Sequence, residues 1–188
     1  MDLSEGIPAD CRTLVVVPSL IGDTAAADAL CEALEVRFLA NRDPHLHFAL
    51  LTDFPDAAQA VLPEDAAVVA HAMRLIGQLN TRYAPEYGDR FFLLHRPRQW
   101  NPAEGCWMGH ERKRGKLAAL NRLLRAERFD DDPADAFQAI CGETAILGNV
   151  RYVITLDSDT QLPRDAARAF VGAMAHPLNE PRLAPDGR

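Results

Sequence analysis

Apolar and polar positions change period repeatedly along this chain. Residues 1–12 are mostly polar, with Gly6 and Pro8, and are expected to form a flexible lead-in. Residues 14–17 are an unbroken β-branched and apolar run ending at Pro18, the composition of a strand buried on both faces. A small, polar turn over 19–24 follows. Leu30, Leu34 and Phe38, each four apart, then predict a helix over 25–39, which residues 41–44 break. Residues 46–52 predict a second strand, with Asp53 directly after it. Residues 66–83 predict a helix with Val69, Met73, Ile76 and Leu79 on one stripe, and 91–95 a third, short strand. Residues 96–110 hold Trp100, Trp107, Pro97 and Pro102 and are expected as a long loop, a feature that is often functional in a compact domain. A basic helix over 113–128 presents Leu117, Leu120, Leu123 and Leu124, and an acidic break covers 130–135. Residues 152–156 predict a fourth strand. Pro163 opens a last helix, with Ala167, Phe170, Val171 and Met174 inward, and residues 179–188 form a tail.

Strand and helix thus alternate four times. Such alternation predicts an α/β domain over 13–178, three-layered, with a mainly parallel four-stranded sheet flanked by helices and right-handed crossovers.

Composition narrows the function. The chain has 188 residues, enough for one sizeable core. Its 20 Lys and Arg against 27 Asp and Glu give a net charge of −7, which argues against a globally basic nucleic-acid binder. No apolar run is long enough to span a membrane, and Asp2, Glu5 and Asp10 stand where a secretory leader would be basic. The four cysteines form no Cys-x-x-Cys pair and are expected as reduced thiols. His45 and His47 have no further ligand cluster beside them. His110-Glu111 begins like a zinc-protease helix, but Arg114 stands where the second His is needed.

In an open parallel sheet, ligands bind outside the carboxyl ends of the strands. Pro18, Ser19 and Leu20 follow the first predicted strand, Asp53 the second, and Asp157-Ser158-Asp159 the fourth. If the strand geometry persists, Asp157 and Asp159 project to one side. Two such carboxylates repel unless a cation or proton lies between them, so the pair points to Mg²⁺ or Mn²⁺ completed by water and phosphate. The alternative is a solvated acidic turn capping the next helix. Phosphatases of the haloacid dehalogenase type also place Asp-x-Asp after a strand, but they require Thr or Val where Gln161 stands, and their motif follows the first strand. Basic residues concentrate at Arg112, Lys113, Arg114, Lys116, Arg122, Arg125 and Arg128. At Arg114-Gly115-Lys116 a glycine lets backbone approach a ligand, and cations near a helix start suit a phosphate. Nucleic-acid binding by this patch lacks interleaved aromatic residues. Asp53 reads equally as a helix N-cap, and Trp100 and Trp107 as core or as a sugar-stacking platform.

The segments Pro18-Ser19-Leu20, Asp53, Arg114 to Asn121 and Asp157-Ser158-Asp159 come in the order of an inverting GT-A-type nucleotide-sugar glycosyltransferase. More narrowly, WMGHERKRGKLAALNRLLR and YVITLDSDTQLPRDAARAFVGAMAHPLN closely resemble the glycosyltransferase region of cyclic β-1,2-glucan synthases, very large bacterial inner-membrane enzymes. The resemblance covers roughly residues 14–179. It implies the nucleotide-binding half of a GT-A fold. Pro18, Ser19, Leu20 and Asp53 would hold the uracil and ribose of UDP-glucose, and Lys116 with Arg114 would face the diphosphate. Asp157 and Asp159 would hold Mg²⁺ or Mn²⁺, Asp159 as the more direct ligand. An acceptor hydroxyl of the growing β-1,2-glucan would attack with inversion, at the cytoplasmic face of the inner membrane. The general base, acceptor motif and membrane helices of such an enzyme have no counterpart after Asp159. The chain is therefore expected to be a donor-binding fragment, inactive alone and touching no membrane itself, with an exposed sheet edge open to self-association. Two alternatives stay open: a non-catalytic folding or interaction module, and a transferase using another nucleotide-sugar.

Overall fold

A computed structural model describes residues 3–125 and 136–179. In chain order its elements are β1 (Thr13–Leu20), α1 (Thr24–Ala40), β2 (Leu46–Asp53), α2 (Asp65–Tyr87), β3 (Phe91–Arg96), β4 (Gln99–Asn101), β5 (Cys106–Met108), α3 (Arg112–Arg125), β6 (Ala139–Cys141), β7 (Tyr152–Thr155) and α4 (Ala166–Met174). The main sheet has five strands in the order β6-β3-β2-β1-β7. β1 pairs in parallel with β2 and β7, and β2 with β3.

The expected α/β architecture with a mostly parallel sheet is present, but the count of four strands falls short. Ala139–Cys141 forms an antiparallel edge strand on β3. Three residues are too few to show a period, and the pairing is decided by contacts with distant β3. The expected long loop over 96–110 is also corrected. It folds into a β4–β5 hairpin that pairs Trp100 with Trp107. The acidic break at 130–135, Arg128 and the tail from residue 180 lie outside the described residues.

β1 continues two residues past Pro18, where the sequence predicted its end. Thr13 and Ile21 donate their N–H groups to His45 and Asp53 on the β2 side. By the two-residue period, the nitrogen of Pro18 faces β7 instead. β7 stops at Thr155, paired with Val16, so the missing donor leaves no gap in a ladder.

The two faces of the sheet bury different sets. Val15, Val17, Phe48, Leu50, Phe91 and Leu93 pack with α1, α2 and α4. Leu14, Val16, Ala49, Leu51, Phe92 and Leu94 pack with Ala119 and Leu120 of α3 and with Leu147. Leu3, Ile7 and Cys11 of the leading segment lie against the first set. In α4 only part of the expected inward stripe is buried. Ala167 and Val171 are enclosed, while Phe170 and Met174 are about half exposed, at 49% and 55%. A helix of 9 residues meets the sheet along one i, i+4 row and leaves its flank open. All four cysteines are free thiols. No helix among the described residues is long and apolar enough to cross a membrane.

Candidate functional site at the strand carboxyl ends

Asp53 is the last residue of β2 and is 1% exposed. A carboxylate this deep needs compensation, and the neighbouring strand supplies it. Asp53 stands in register with Arg96, the last residue of β3. Arg96 Nε donates to Asp53 Oδ1 at 2.8 Å and its terminal nitrogen to Oδ2 at 3.0 Å, a bidentate fork. Lys116 Nζ of α3 lies 3.1 Å from Asp53 Oδ2 and donates to the Ser19 carbonyl at 2.7 Å. One buried anion thus ties the ends of β1, β2, β3 and the first turns of α3. Burial pushes the Lys116 ammonium below its ordinary pKa, and Asp53 opposes that shift. Arg96 also donates to the carbonyls of His110 and Arg112, fixing the segment that enters α3.

Two glycines explain how that segment comes so close. A Cβ at Gly109 would collide with the Asp53 carboxylate, and one at Gly115 with the His110 carbonyl. Gly115 therefore serves packing between α3 and the preceding chain. The helix starts on two strained residues, Glu111 and Arg112, at φ 51° and 47°.

Around this buried anchor lies an open cleft of about 450 Å³. Pro18, Ser19, Leu20, Asp53 and Lys116 line it, as expected, together with Arg112, Lys113 and Ser158. Arg114 does not line it; its side chain is 85% exposed and pairs with Glu111. The cations at the mouth are Lys113, paired with Asp157, and Arg112, which bridges Asp56 at 3.0 Å and Glu104 at 2.7 Å. The N-cap alternative for Asp53 fails, because Asp53 is a strand residue and α2 begins twelve positions later.

The Asp157-Ser158-Asp159 segment is a turn, closed by the Thr160 N–H donating to the Asp157 carbonyl at 3.0 Å. Extended geometry ends before it, so the strand argument for parallel carboxylates does not apply. Both aspartates are exposed. No third His, Cys, Asp or Glu joins them in a three-ligand group among the described residues; the group that does form is Asp56, Glu104 and Cys106. Two open carboxylates beside a cationic cleft fit a hard divalent cation whose remaining ligands are water and phosphate oxygens. They do not form a closed protein cage.

Trp100 and Trp107 are not core. Trp100 is 50% exposed, and the two rings meet across the hairpin at 5.8 Å. Sequence reasoning missed Arg96 and Gly109, and it names Lys113 only among the basic residues, without a place in the site. A cation for Asp53 could have been sought at the end of the adjacent strand, where Arg96 stands. Gly109 carries no such signal, because its constraint arises only once α3 is docked.

The fold and cleft define an α/β domain with an open cleft, lined in part by charged residues, at the carboxyl ends of a mostly parallel sheet. No protein-family model matches the chain. It is 48% identical over 181 residues to the cyclic beta-(1,2)-glucan synthase NdvB of Rhizobium meliloti (strain 1021). The match takes in 96% of this chain and 6% of that protein, and it bears out the family resemblance of the two long motifs.

Proposed function

We propose that this chain is the donor-binding part of an inverting glucosyltransferase that makes cyclic β-1,2-glucan, built on the nucleotide-binding half of a GT-A fold. The observation that carries the reading is the Lys113–Asp157 pair at the cleft mouth, within a chain 48% identical to a cyclic beta-(1,2)-glucan synthase. UDP-glucose is the proposed donor. Pro18, Ser19 and Leu20, with Asp53 beneath them, form the wall for uracil and ribose. Lys113 and Arg112 take the diphosphate side, the place that Arg114 leaves empty. Lys116 acts from below, as a fixed positive charge held by Asp53.

Asp157 and Asp159 would hold Mg²⁺ or Mn²⁺, which supplies charge neutralisation for the leaving diphosphate. Lys113 exchanges Asp157 for a phosphate oxygen as donor binds. Within the cleft lining no carboxylate is left for a general base: Asp53 is held by Arg96 and Lys116, and Asp56 by Arg112. The chain alone therefore binds donor without turnover. The growing glucan and the inner-membrane location belong, in this reading, to the longer protein.

Titration calorimetry with UDP and Mn²⁺ tests the assignment. Heat of binding is expected from the unmodified chain and none from Asp157→Ala/Asp159→Ala. Equal heats from both would remove the cation role.

A further inference from the structure

Arg37 lies in α1, away from the cleft lining, yet it is only 2% exposed. A buried guanidinium demands partners for its fork of donors. Its hydrogen-bond partners are backbone carbonyls. Its Nε donates to the Thr160 carbonyl at 3.2 Å, and a terminal nitrogen donates to Ser158 at 2.8 Å and to Thr160 at 2.7 Å. These two carbonyls flank Asp159 on either side. The turn hydrogen bond from Thr160 N–H to the Asp157 carbonyl closes the same four residues.

Four residues further on, at the C-cap of α1, Asn41 grips the next stretch of chain. Its Nδ2 donates to the Leu162 carbonyl at 3.2 Å, and its Oδ1 accepts from Ala167 N–H at 3.1 Å. One helix face thus holds the whole passage from the aspartate turn into α4, but only Arg37 touches the turn itself. The aspartate side chains have no buried support of their own.

We infer that Arg37 is a positioning residue for the cation site: it holds the carbonyls of Ser158 and Thr160, the residues on either side of Asp159, and so sets the direction of the Asp157 and Asp159 carboxylates from inside the core. The inference rests on the proposed cation role of these aspartates.

Outer-sphere partners of this kind are worth about 10-fold or more in metal affinity. The test uses the 188-residue chain with Mn²⁺ and UDP as probes, and hydrogen exchange over residues 157–162. Arg37→Met is expected to weaken Mn²⁺–UDP binding by about 10-fold or more and to speed exchange in the turn. Arg37→Lys, with fewer donors, should recover part of both, and it serves alone if Arg37→Met fails to fold. Asn41→Ala should lower thermal stability while keeping Mn²⁺–UDP affinity within about twofold. Unchanged affinity and unchanged exchange in Arg37→Met would overturn the inference, as would an equal loss of affinity in Asn41→Ala. If the unmodified chain binds no Mn²⁺–UDP, the proposed function fails. Arg37 as turn clamp then stands or falls on the exchange rates alone.

Discussion

Two acidic strand ends face the same cleft and are built in opposite ways. Asp53 is enclosed, and both its oxygens are taken by cations from β3 and α3. Asp157 is exposed, pairs with a half-exposed lysine, and sits on a turn held only through its backbone. Burial decides the difference. An enclosed carboxylate without its cations is prohibitively costly, so Asp53 cannot trade partners. An exposed pair is worth little, so Asp157 can exchange Lys113 for another cation at small cost. The first arrangement makes a scaffold; the second leaves a carboxylate that can change partners.

The largest effect should come from breaking the scaffold. Asp53→Asn leaves Arg96 and Lys116 buried without their anion and is expected to cost about 3–5 kcal/mol in urea unfolding. A cost as small as that of a surface pair would erase the contrast between the two ends.

Acid should weaken the enclosed region next. Burial lowers the pKa of His47 to about 3 and that of His95 to about 4, from an ordinary value of 6.5. His47 is pressed further down by Arg90 and Arg12, whose guanidiniums each lie 3.1 Å from its Nε2. His95 shares a hydrogen bond with the Thr52 hydroxyl at 2.9 Å. Both rings are neutral in the folded chain and become charged in the unfolded chain below 6.5. Their stabilisation is complete above that pH and is lost as pH falls towards the folded values. Each should contribute on the order of 1–2 kcal/mol less at pH 5 than at pH 7. His47→Gln and His95→Gln, followed by unfolding at both pH values, should flatten the dependence.

Gly109→Ala tests how tightly α3 is docked. The new Cβ displaces the Asp53 carboxylate, and a loss of about 1–3 kcal/mol is expected in thermal melting. No loss would mean that the 109–111 segment yields easily.

At the exposed end, stability should hardly move. Asp157→Ala/Asp159→Ala should stay within about 0.5 kcal/mol of the unmodified chain while binding of Mn²⁺ with UDP disappears. Lys113→Ala should bind Mn²⁺ alone better, because Asp157 loses its competitor, and Mn²⁺ with UDP less well. A large drop in stability from either change would assign the turn to the scaffold instead.

The sequence shows this division only in part. Strands β1, β2 and β3 and all four helices are visible because burial imposes a period on nine or more residues or fills a short run with apolar ones, and β7 shows as a short, β-branched run at the sheet edge. β6 and the hairpin are three-residue strands whose pairing depends on distant partners. Pro18-Ser19-Leu20 and Asp53 follow from asking what stands at each strand end, and Lys116 from the basic start of α3; all line the cleft. Arg114 was favoured over Lys113 because sequence distance cannot say which side of a helix start meets the sheet. The docking of α3, set by Gly109, Gly115 and Arg96, makes that choice. Arg37 was invisible for a related reason: a charged residue inside an otherwise amphipathic helix reads as surface until the chain that covers it is known.

The early stop of β7 also has a geometric consequence. β1 runs on through residues 17–20 after its last pairing with β7 at Val16. At about 3.3 Å per residue this is a step roughly 13 Å deep. The depth of the notch is therefore written in the difference between two strand lengths, and not in any one side chain. Lengthening β7 by a paired residue would make the notch shallower and would carry the Asp157–Asp159 turn along with it.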